Sequence, residues 1–515
     1  MSAPPRHNAT ILHEISSSVF WNTALLPLIA VANLLVSVLI RRSFELESGT
    51  YDILMGLSGS ILFYSGLGLT SSLPKFLPEV QVQSGRHQTI SVLSRIAAVR
   101  MAVLALLLIA MNVWAEPLAQ RFGLGESGSL YVHILTLLIA AKALMDLSYR
   151  ALESFLAQLA VNALMLLYAI SRFALIGLAV AVGGGIAGVV GALGASAAIV
   201  GVGGMAALVR RLRRLPIEPE AARAPAPTGN RIGKFAALTY ANELCLYFSS
   251  PAFGSPALAA ALGGPEPVAL FATSFFVAGS GVALTISSFR GVYRPLFARL
   301  RAAGDPAQFR RAFEVACKAQ VLAVVPAGFG LAVMVPDYLT LLYGPAFASG
   351  ATVARILVAL LFAETVFALG VLVLWVDERY RLVLAAQATL VLGAPLFIVA
   401  AARGGLETAA LVLGGSRLAA SLIGYRAARR VYGVVFPWRF AARVGLASAA
   451  MGAVLQLLRL VWRTSPVEAI TLTLLGVLLV AGALRVFRIL GPDELGILER
   501  ARIPGRKWLV QWLAR

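Results

Sequence analysis

Long apolar runs separated by short polar segments make up most of this chain. An apolar run of about 18 or more residues is long enough to cross the hydrocarbon core of a membrane as a helix. The pattern predicts about fourteen such spans, at residues 18–40, 50–72, 92–114, 130–149, 159–181, 186–209, 235–261, 267–289, 315–335, 349–376, 382–402, 406–427, 442–462 and 467–489. Span two is rich in Gly and Ser, and the run Gly183–Gly184–Gly185 separates spans five and six. We therefore expect an all-α polytopic membrane protein.

The composition agrees with a membrane protein and argues against several classes of enzyme. Hydrophobic residues make up 59% of the 515 residues and charged residues only 13%, and the mean hydropathy is +0.83. A soluble domain contains about 25% charged residues. The two cysteines, Cys245 and Cys317, form neither a disulfide framework nor a metal motif. Motifs such as HExxH, a phosphate-binding loop or a nucleophile elbow are absent, so we expect no enzyme activity, no metal and no cofactor.

The placement of the basic residues predicts how the spans are oriented. The chain has 44 Lys and Arg residues and a formal net charge of +20. Cytoplasmic segments of membrane proteins are enriched in Lys and Arg. When the N-terminus is placed in the cytoplasm, the outer loops contain only Arg41, Arg42, Arg121, Arg403 and Arg463. Because the number of spans is even, both termini are predicted to be cytoplasmic.

The most polar internal stretch, "LVRRLRRLPIEPEAARAPAPTGNRIGKF" at 208–235, follows span six. Six spans on either side of this stretch enter the membrane in the same direction, as in transporters built from parallel repeats. The predicted organisation is an N-lobe (1–209), a basic cytoplasmic linker (210–234), a C-lobe (235–430), two additional spans (431–489) and a tail (490–515). The tail, with "ERARIPGRKWLVQWLAR", is typical of an amphipathic helix on the inner leaflet. We expect contact with anionic lipid, and no binding of nucleic acid.

Charged residues inside the spans are the candidates for function, because they are costly in a membrane and usually face a cavity or a partner. Five arginines are candidates for substrate binding in a lumen: Arg100, Arg172, Arg290, Arg355 and Arg417. Three acidic residues are candidates for ion pairs or for coupling to ions: Asp146, Glu243 and Glu364.

Each of these residues also has a simpler interpretation. Lys142 lies four residues before Asp146, so the two can neutralise each other on one helix face. Arg95 and Arg459 lie near span ends and are expected to extend to the headgroups. The acidic residues are either partners of the arginines or proton sites, and the sequence does not separate the two. A surplus of arginine near the membrane centre favours a substrate with phosphate or carboxylate.

Three segments resemble the polysaccharide flippases of the MOP superfamily. They are "RRSFELESGTYDILMGLSGSILFYSGLGLTSSLPKFLPE" (41–79), "FRGVYRPLFARLRAAGD" (289–305) and "LLYGPAFASGATVARILVALL" (341–361). The resemblance implies a V-shaped pair of six-helix lobes with alternating access in the inner membrane of a bacterium. The implied substrate is a polyprenyl-(pyro)phosphate-linked oligosaccharide, flipped to the outer leaflet and passed to polysaccharide assembly proteins. Coupling to H⁺ or Na⁺ stays open. The Arg-rich motifs of the peptidoglycan-precursor flippases are not matched.

Other functions compete with a flippase. A multidrug or metabolite antiporter would share the fold, but carboxylates are expected to dominate its central site. A membrane glycosyltransferase or polymerase needs a sizeable outer loop, and the longest one predicted here is 115–129. An assembly protein without transport activity is a third alternative. The lipid-linked glycan flippase agrees best with the arginines and with the short outer loops.

Overall fold

The computed structural model of the chain describes residues 28–155, 157–215, 229–461 and 465–486, without the side chains of 82–84, 229, 287–292 and 295. These residues are helical and include no β-strand. Residues 18–27 of predicted span one, the middle of the predicted linker (216–228) and the predicted tail (490–515) lie outside the described residues. The chain divides into two compact units, 1–269 and 270–515.

The first unit contains nine helices in its described residues. They are α1 (28–44), α2 (Ser48–Gly66), α3 (Leu69–Val113), α4 (Ala115–Arg121), α5 (Gly128–Ser154), α6 (Gln158–Ala181), α7 (Gly185–Arg213), α8 (Gly229–Tyr247) and α9 (Pro251–Leu262). The turn between α6 and α7 lies at Gly183 and Gly184, where the glycine run separates predicted spans five and six. Helices α8 and α9 together correspond to predicted span seven, which therefore belongs to the first unit.

The second unit begins within α10 and continues to the last described helix. Its helices are α10 (Pro265–Ala303), α11 (Pro306–Tyr338), α12 (Ala351–Phe367), α13 (Leu369–Val376), α14 (Tyr380–Tyr432), α15 (Trp438–Val461) and α16 (Pro466–Val486). Local capping fixes two of the starts. Asp305 accepts hydrogen bonds from the backbone of Ala307 and Gln308 at the start of α11. Ser465 and Glu468 bond reciprocally at the start of α16.

The described helices are long enough for a multi-pass membrane protein. Ten of them meet the length and apolarity needed to cross a membrane, and eleven do when the bent pair 28–66 and 69–81 counts as one span. Helix α14 has 53 residues, which corresponds to about 80 Å. That length exceeds twice the hydrocarbon core of about 30 Å, so α14 holds two predicted spans. The total of fourteen stays a prediction.

Glycines mark the positions where long helices are interrupted. Gly85 in α3 has φ 69° and ψ −170°, and Gly405 in α14 has φ 73° and ψ −164°. Only glycine adopts this region readily. Beyond Gly405 the chain returns along α14, because Thr408 Oγ1 donates to the Ala400 carbonyl at 2.7 Å and Thr389 Oγ1 to the Ser416 carbonyl at 3.3 Å. The break agrees with the predicted boundary between spans eleven and twelve.

Small residues let α2 and α9 approach closely in the first unit. A Cβ atom on Gly56 would lie 2.5 Å from Pro256 Cδ of α9, and one on Gly59 would lie 2.8 Å from Ala252 Cβ. At the start of α2, a Cβ on Gly49 would lie 1.7 Å from the carbonyl oxygen of Pro265, the first residue of α10. Close approach through small residues is a common means of helix association in membranes. This packing is the physical reason why predicted span seven lies in the first unit and not with the spans that follow it.

We expect Gly49→Ala to destabilise the protein by about 1–3 kcal/mol, because the new methyl group overlaps the Pro265 backbone and the helices must separate. Thermal unfolding of the purified protein in detergent measures the change. Gly177→Ala is the matched control, because a Cβ at Gly177 meets nothing within 4 Å, and it should be neutral or stabilising by about 0.5–1 kcal/mol. Equal melting temperatures for the two variants would contradict the packing.

The glycine-rich stretch 183–204 also serves packing. Helix α7 contacts α5 at Gly201, where a Cβ would lie 3.3 Å from the Met145 nitrogen, and at Gly204, where it would lie 2.3 Å from Ser148 Oγ. A phosphate-binding loop is not formed, since these glycines are inside a continuous helix. Their effect is to bring two spans of the first unit into contact.

Helices α15 and α16 are held against α11 by an apolar cluster and by polar bonds at its edge. The cluster contains Met334, Met451, Leu455, Ala469 and Leu472. Tyr338 Oη and Thr473 Oγ1 are 2.6 Å apart. The two additional spans therefore have a defined site on the second unit.

Candidate functional site

Charged and aromatic side chains from four helices of the first unit meet around Tyr51. This group, here called the Tyr51 cluster, consists of Asn33, Arg41, Tyr51, Asp52, Met55, Lys142, Tyr168 and Arg172. They come from α1, α2, α5 and α6. Each lies on a predicted span or at its outer end, so the cluster is embedded in the membrane part of the unit.

The carboxylate of the Tyr51 cluster, Asp52, forms an ion pair with one arginine. Arg41 Nη2 lies 3.2 Å from both carboxylate oxygens of Asp52, and Arg41 Nη1 donates to Ser37 Oγ at 3.1 Å. The two charged side chains are only 5% and 10% exposed. A buried pair of this kind offsets the cost of removing both charges from water. The pair fixes α1 against α2.

The other two cations of the cluster have neutral partners. Arg172 donates to Asn33 Oδ1 and lies over the Tyr168 ring at 5.3 Å. Its Nε is buried and has no hydrogen-bond partner among the described residues. Lys142 Nζ is 3.6 Å from Met55 Sδ. In the described part of the chain, no carboxylate lies within ion-pair distance of either cation.

The Tyr51 cluster therefore has a surplus of positive charge. Arg41, Lys142 and Arg172 provide three positive charges against one negative charge on Asp52, which leaves a net charge of +2. An uncompensated charge in a span is costly. An anionic ligand that accepts hydrogen bonds reduces this cost, and guanidinium groups bind phosphate or carboxylate with two parallel bonds. The arrangement is suited to binding an anion.

Arg100 and Asp146 lie together in another part of the first unit. Arg100 is 1% exposed and its Nη2 is 2.8 Å from Asp146 Oδ2. Arg150 Nε lies 3.7 Å from the other carboxylate oxygen. Arg100 is thus in the packed interior of the unit and not on a cavity wall in this conformation. The expected pairing of Lys142 with Asp146 is also wrong, because the carboxylate turns to the two arginines.

Glu243 on α8 has a hydroxyl partner. Ser71 Oγ on α3 donates to Glu243 Oε1 at 2.5 Å. Of the two alternatives for this acid, an arginine partner and a proton site, the first is not what the described residues show. The contact belongs to a polar and aromatic region at the end of α8.

The predicted residues of the second unit have different surroundings. Arg417 binds Glu364 through two bonds, Nε to Oε2 at 2.7 Å and Nη2 to Oε1 at 3.1 Å. Arg355 is exposed and its Nε donates to the Ala332 carbonyl at 3.2 Å. Arg290 lies outside the described side chains. Glu364 is therefore the ion-pair partner of Arg417, one of the alternatives for this acid, and the pair adds no net charge.

Arg459 is another position where the structure differs from expectation. Its guanidinium does not extend to the headgroups but binds Asp337 on α11, with Nη2 donating to Asp337 Oδ1 at 2.8 Å and Nε to the other oxygen. Extension to water is unnecessary when a carboxylate lies close by. The bond connects α15 to α11.

Sequence reasoning also missed part of the Tyr51 cluster. Arg41 was assigned to an outer loop, and neither Tyr51 nor Asp52 was a candidate. A carboxylate inside predicted span two was the available indication, since acidic residues in spans are rarely without function. Within the described residues, no group of three or more His, Cys, Asp and Glu side chains is placed to hold a metal ion.

A second polar group lies in the second unit, on the side predicted to be cytoplasmic. Asp377 accepts hydrogen bonds from Arg301 Nε at 2.6 Å, Tyr432 Oη at 2.8 Å and Arg379 Nε at 3.1 Å. Burial alone would raise the pKa of Asp377, but the bonds from these three donors outweigh burial and hold the pKa below its ordinary value of 3.8. The carboxylate joins the ends of α10, α13 and α14.

We expect Asp377→Asn to lower the stability at pH 7 by about 1 kcal/mol, since Arg301 is half exposed and water weakens its bond. The folded pKa is lower than the unfolded one, so the ionised group stabilises the fold at neutral pH. This contribution is lost as the pH falls below 3.8 and through the lower pKa of the folded state. Melting curves of wild type and variant should converge below that folded pKa, and a constant difference down to low pH would contradict the assignment.

The chain was compared with known proteins. No protein-family model matches it, and no curated protein sequence matches it. A solved structure of the lipid II flippase MurJ, in an inward closed conformation, is similar with a TM-score of 0.72 and 14% identity, over 91% of this chain and 98% of that one. An inward-facing multidrug resistance MATE family transporter of the MOP superfamily has a TM-score of 0.61 and 12% identity, over 79% and 94% of the two chains.

At these identities the similarity concerns the fold. The match extends over nearly the whole length of MurJ. The described helices and the comparisons together establish a multi-pass, all-helical membrane protein. The chain has the fold shared by the MurJ flippase and the MATE transporters of the MOP superfamily.

Proposed function

We propose that the protein is a flippase for a phosphate-containing, lipid-linked saccharide, and that the Tyr51 cluster binds the phosphate. The observation that carries the proposal is the position of Lys142 and Arg172, two cations inside the spans whose described partners are neutral. The diphosphate that joins a polyprenyl chain to a sugar carries two negative charges near neutral pH. This charge is complementary to the net charge of the cluster.

The arginines of the second unit differ from Arg172 in their partners, and this difference supports the choice of the Tyr51 cluster as the binding site. Arg417 and Glu364 neutralise each other, as do Arg459 and Asp337. Arginines that already hold carboxylates gain less from a phosphate, because the existing bonds must be broken first. Of the five arginines predicted to line a lumen, Arg100 and Arg417 hold carboxylates, whereas Arg172 lies near a second cation, Lys142, with neutral described partners. We therefore assign phosphate binding to Arg172.

A multidrug or metabolite antiporter is the second candidate, since the MATE transporter has a similar fold. Carboxylates are expected to dominate the central site of such a transporter. In the Tyr51 cluster the carboxylate is 10% exposed and is held by Arg41, so the cluster repels cations. The charge of the site favours the flippase.

The proposal includes the bacterial inner membrane and a cytoplasmic position for the linker. Helix α7 ends in Arg210, Arg211 and Arg213, all exposed. Exposed basic residues next to a span interact with anionic lipid on the cytoplasmic leaflet. An inner-leaflet substrate would therefore enter from the side where these arginines lie.

Transport in proteoliposomes tests the proposal. Vesicles that contain the full chain are prepared with a fluorescent polyprenyl diphosphate disaccharide in the inner leaflet, and its appearance outside is followed by dithionite quenching. We expect faster appearance than in protein-free vesicles and than for a neutral polyprenyl glycoside. If the labelled diphosphate stays inside while the vesicles transport a quaternary ammonium dye, the antiporter is correct and the flippase is not.

A further inference from the structure

Six aromatic rings lie together where α2 and α8 end, in the first unit. This aromatic cluster consists of Phe63, Tyr64, Tyr240, Tyr247, Phe248 and Phe253. Phe63 is stacked between two tyrosines, with its centroid 5.2 Å from that of Tyr240 and 4.7 Å from that of Tyr247. Tyr64 packs by its edge against the cluster and is 37% exposed. The cluster therefore combines a rigid stack with an accessible ring.

Both helices are interrupted next to these rings. Helix α2 ends at Gly66, and the next two residues, Leu67 and Gly68, have φ of 47° and 67°. A Cβ on Gly68 would lie 2.2 Å from the Ala236 carbonyl oxygen, so glycine allows α8 to approach the break. Helix α8 ends at Tyr247, before α9. In transporters, interrupted helices expose backbone and side-chain polar groups to the substrate.

Polar groups surround the rings. Ser71 donates to Glu243 Oε1, and Ser60 Oγ lies 2.8 Å from Tyr247 Oη. The carboxyl group of Glu243 has two oxygens with several acceptor positions, so one hydroxyl does not saturate it. Glu243 lies three residues after Tyr240 and four before Tyr247, so the three side chains share one face of α8. A hydrogen-bond acceptor is thus placed next to aromatic faces.

We propose that the aromatic cluster, with Glu243, is a subsite for the sugar part of the substrate. A pyranose ring has apolar C–H faces that stack on aromatic rings and hydroxyl groups at its edge that donate to carboxyl oxygens. The inference rests on the proposed function and assigns a second position within the same substrate.

Other parts of the substrate fit this region less well. A carboxyl group repels phosphate, which is also an anion. An isoprenoid chain would cover Glu243 without offering hydrogen bonds, and burying such a group without partners is costly. A sugar satisfies both the apolar faces and the polar groups, so it is the occupant that the chemistry selects.

Helix α2 connects the sugar subsite to the Tyr51 cluster. Asp52 and Phe63 are eleven residues apart in α2, which corresponds to about three helical turns and about 16 Å on one face. A diphosphate followed by the first sugars of an oligosaccharide can bridge such a distance. One helix thus presents a cationic site and an aromatic site to successive parts of one molecule.

Binding of two soluble probes by the detergent-purified full chain tests the inference. The probes are the methyl ester of geranyl diphosphate and geranyl diphospho-N-acetylglucosamine, which carry the same two negative charges, and calorimetry gives both affinities. We expect the wild type to bind the sugar-containing probe about three- to tenfold more tightly, in line with the strength of one aromatic contact. Tyr64→Leu should remove this difference and leave the affinity for the methyl ester unchanged.

Three further variants separate the possible outcomes. Tyr131→Leu, on α5 and outside the aromatic cluster, should keep the difference. Glu243→Gln should reduce it, which gives a second measurement if Tyr64→Leu does not fold. Arg172→Gln should weaken both probes equally. Equal affinity of the wild type for both probes overturns the sugar subsite alone, whereas failure to bind either probe overturns the proposed function as well.

Discussion

Arg172→Gln is expected to lower the transport of a lipid-linked diphosphate by at least about 30-fold, the lower end of the effect of removing one partner from a buried charged pair. Glutamine keeps the polar contact with Asn33 but has no charge. The loss follows because Arg172 carries a permanent positive charge and several hydrogen-bond donors. Its described partners, Asn33 and Tyr168, are neutral and do not compensate this charge. Initial rates in proteoliposomes, corrected for the amount of folded protein, measure the effect.

The comparison variants for Arg172 are chosen by charge and position. Lys142→Met removes the neighbouring cation and should act in the same direction, with a smaller effect because lysine binds phosphate as a single point charge. Arg121→Gln, at the exposed end of α4 in a predicted outer loop, should transport as the wild type does. Full transport by the double variant Arg172→Gln/Lys142→Met would show that the Tyr51 cluster does not bind the substrate.

Arg459→Leu is expected to destabilise the protein by about 3–5 kcal/mol, because it leaves the carboxylate of Asp337 buried without its guanidinium partner. The two side chains are 16% and 9% exposed and are joined by two bonds. The pair lies beside the apolar cluster that holds α15 and α16 on α11. Thermal unfolding should show the loss, and limited proteolysis should cut first near α15.

The double variant Asp337→Leu/Arg459→Leu identifies the origin of that loss. Replacing both members of a buried ion pair by apolar residues is often neutral or stabilising, whereas removing one is not. We therefore expect the double variant to recover most of the stability lost in Arg459→Leu. If the double variant instead loses as much stability as Arg459→Leu and Asp337→Leu lose together, the ion pair itself contributes little. Packing alone would then hold α15.

The two predictions concern arginines that the sequence places at different depths, Arg172 near the middle of span five and Arg459 near the end of span thirteen. In the structure Arg172 has neutral described partners and Arg459 binds a carboxylate. We propose that the first binds an external anion, whereas the second contributes to the fold. Arg417 lies near the middle of span twelve and also binds a carboxylate, so the proposal selects Arg172 by its pairing and not by its depth in the membrane.

The class of fold and most of the helix positions follow from the sequence. The length of an apolar run, the positions of charged residues and the positions of glycines are local features of the sequence. In a membrane they determine directly where a helix crosses and where the chain turns. The turn at Gly183–Gly184 and the break at Gly405 lie at predicted boundaries between spans. The break at Leu67–Gly68 lies in predicted span two, the span that is rich in Gly and Ser.

Only the tertiary structure decided which charges meet. The partners are far apart along the chain: Arg172 and Asn33 are separated by 139 residues, Arg417 and Glu364 by 53, and Arg459 and Asp337 by 122. Whether they meet depends on the rotation of each helix about its axis and on its neighbours, which hydrophobic length does not specify. The composition establishes a helical membrane protein rich in arginine, and helix packing determines which of those arginines remain able to bind a substrate.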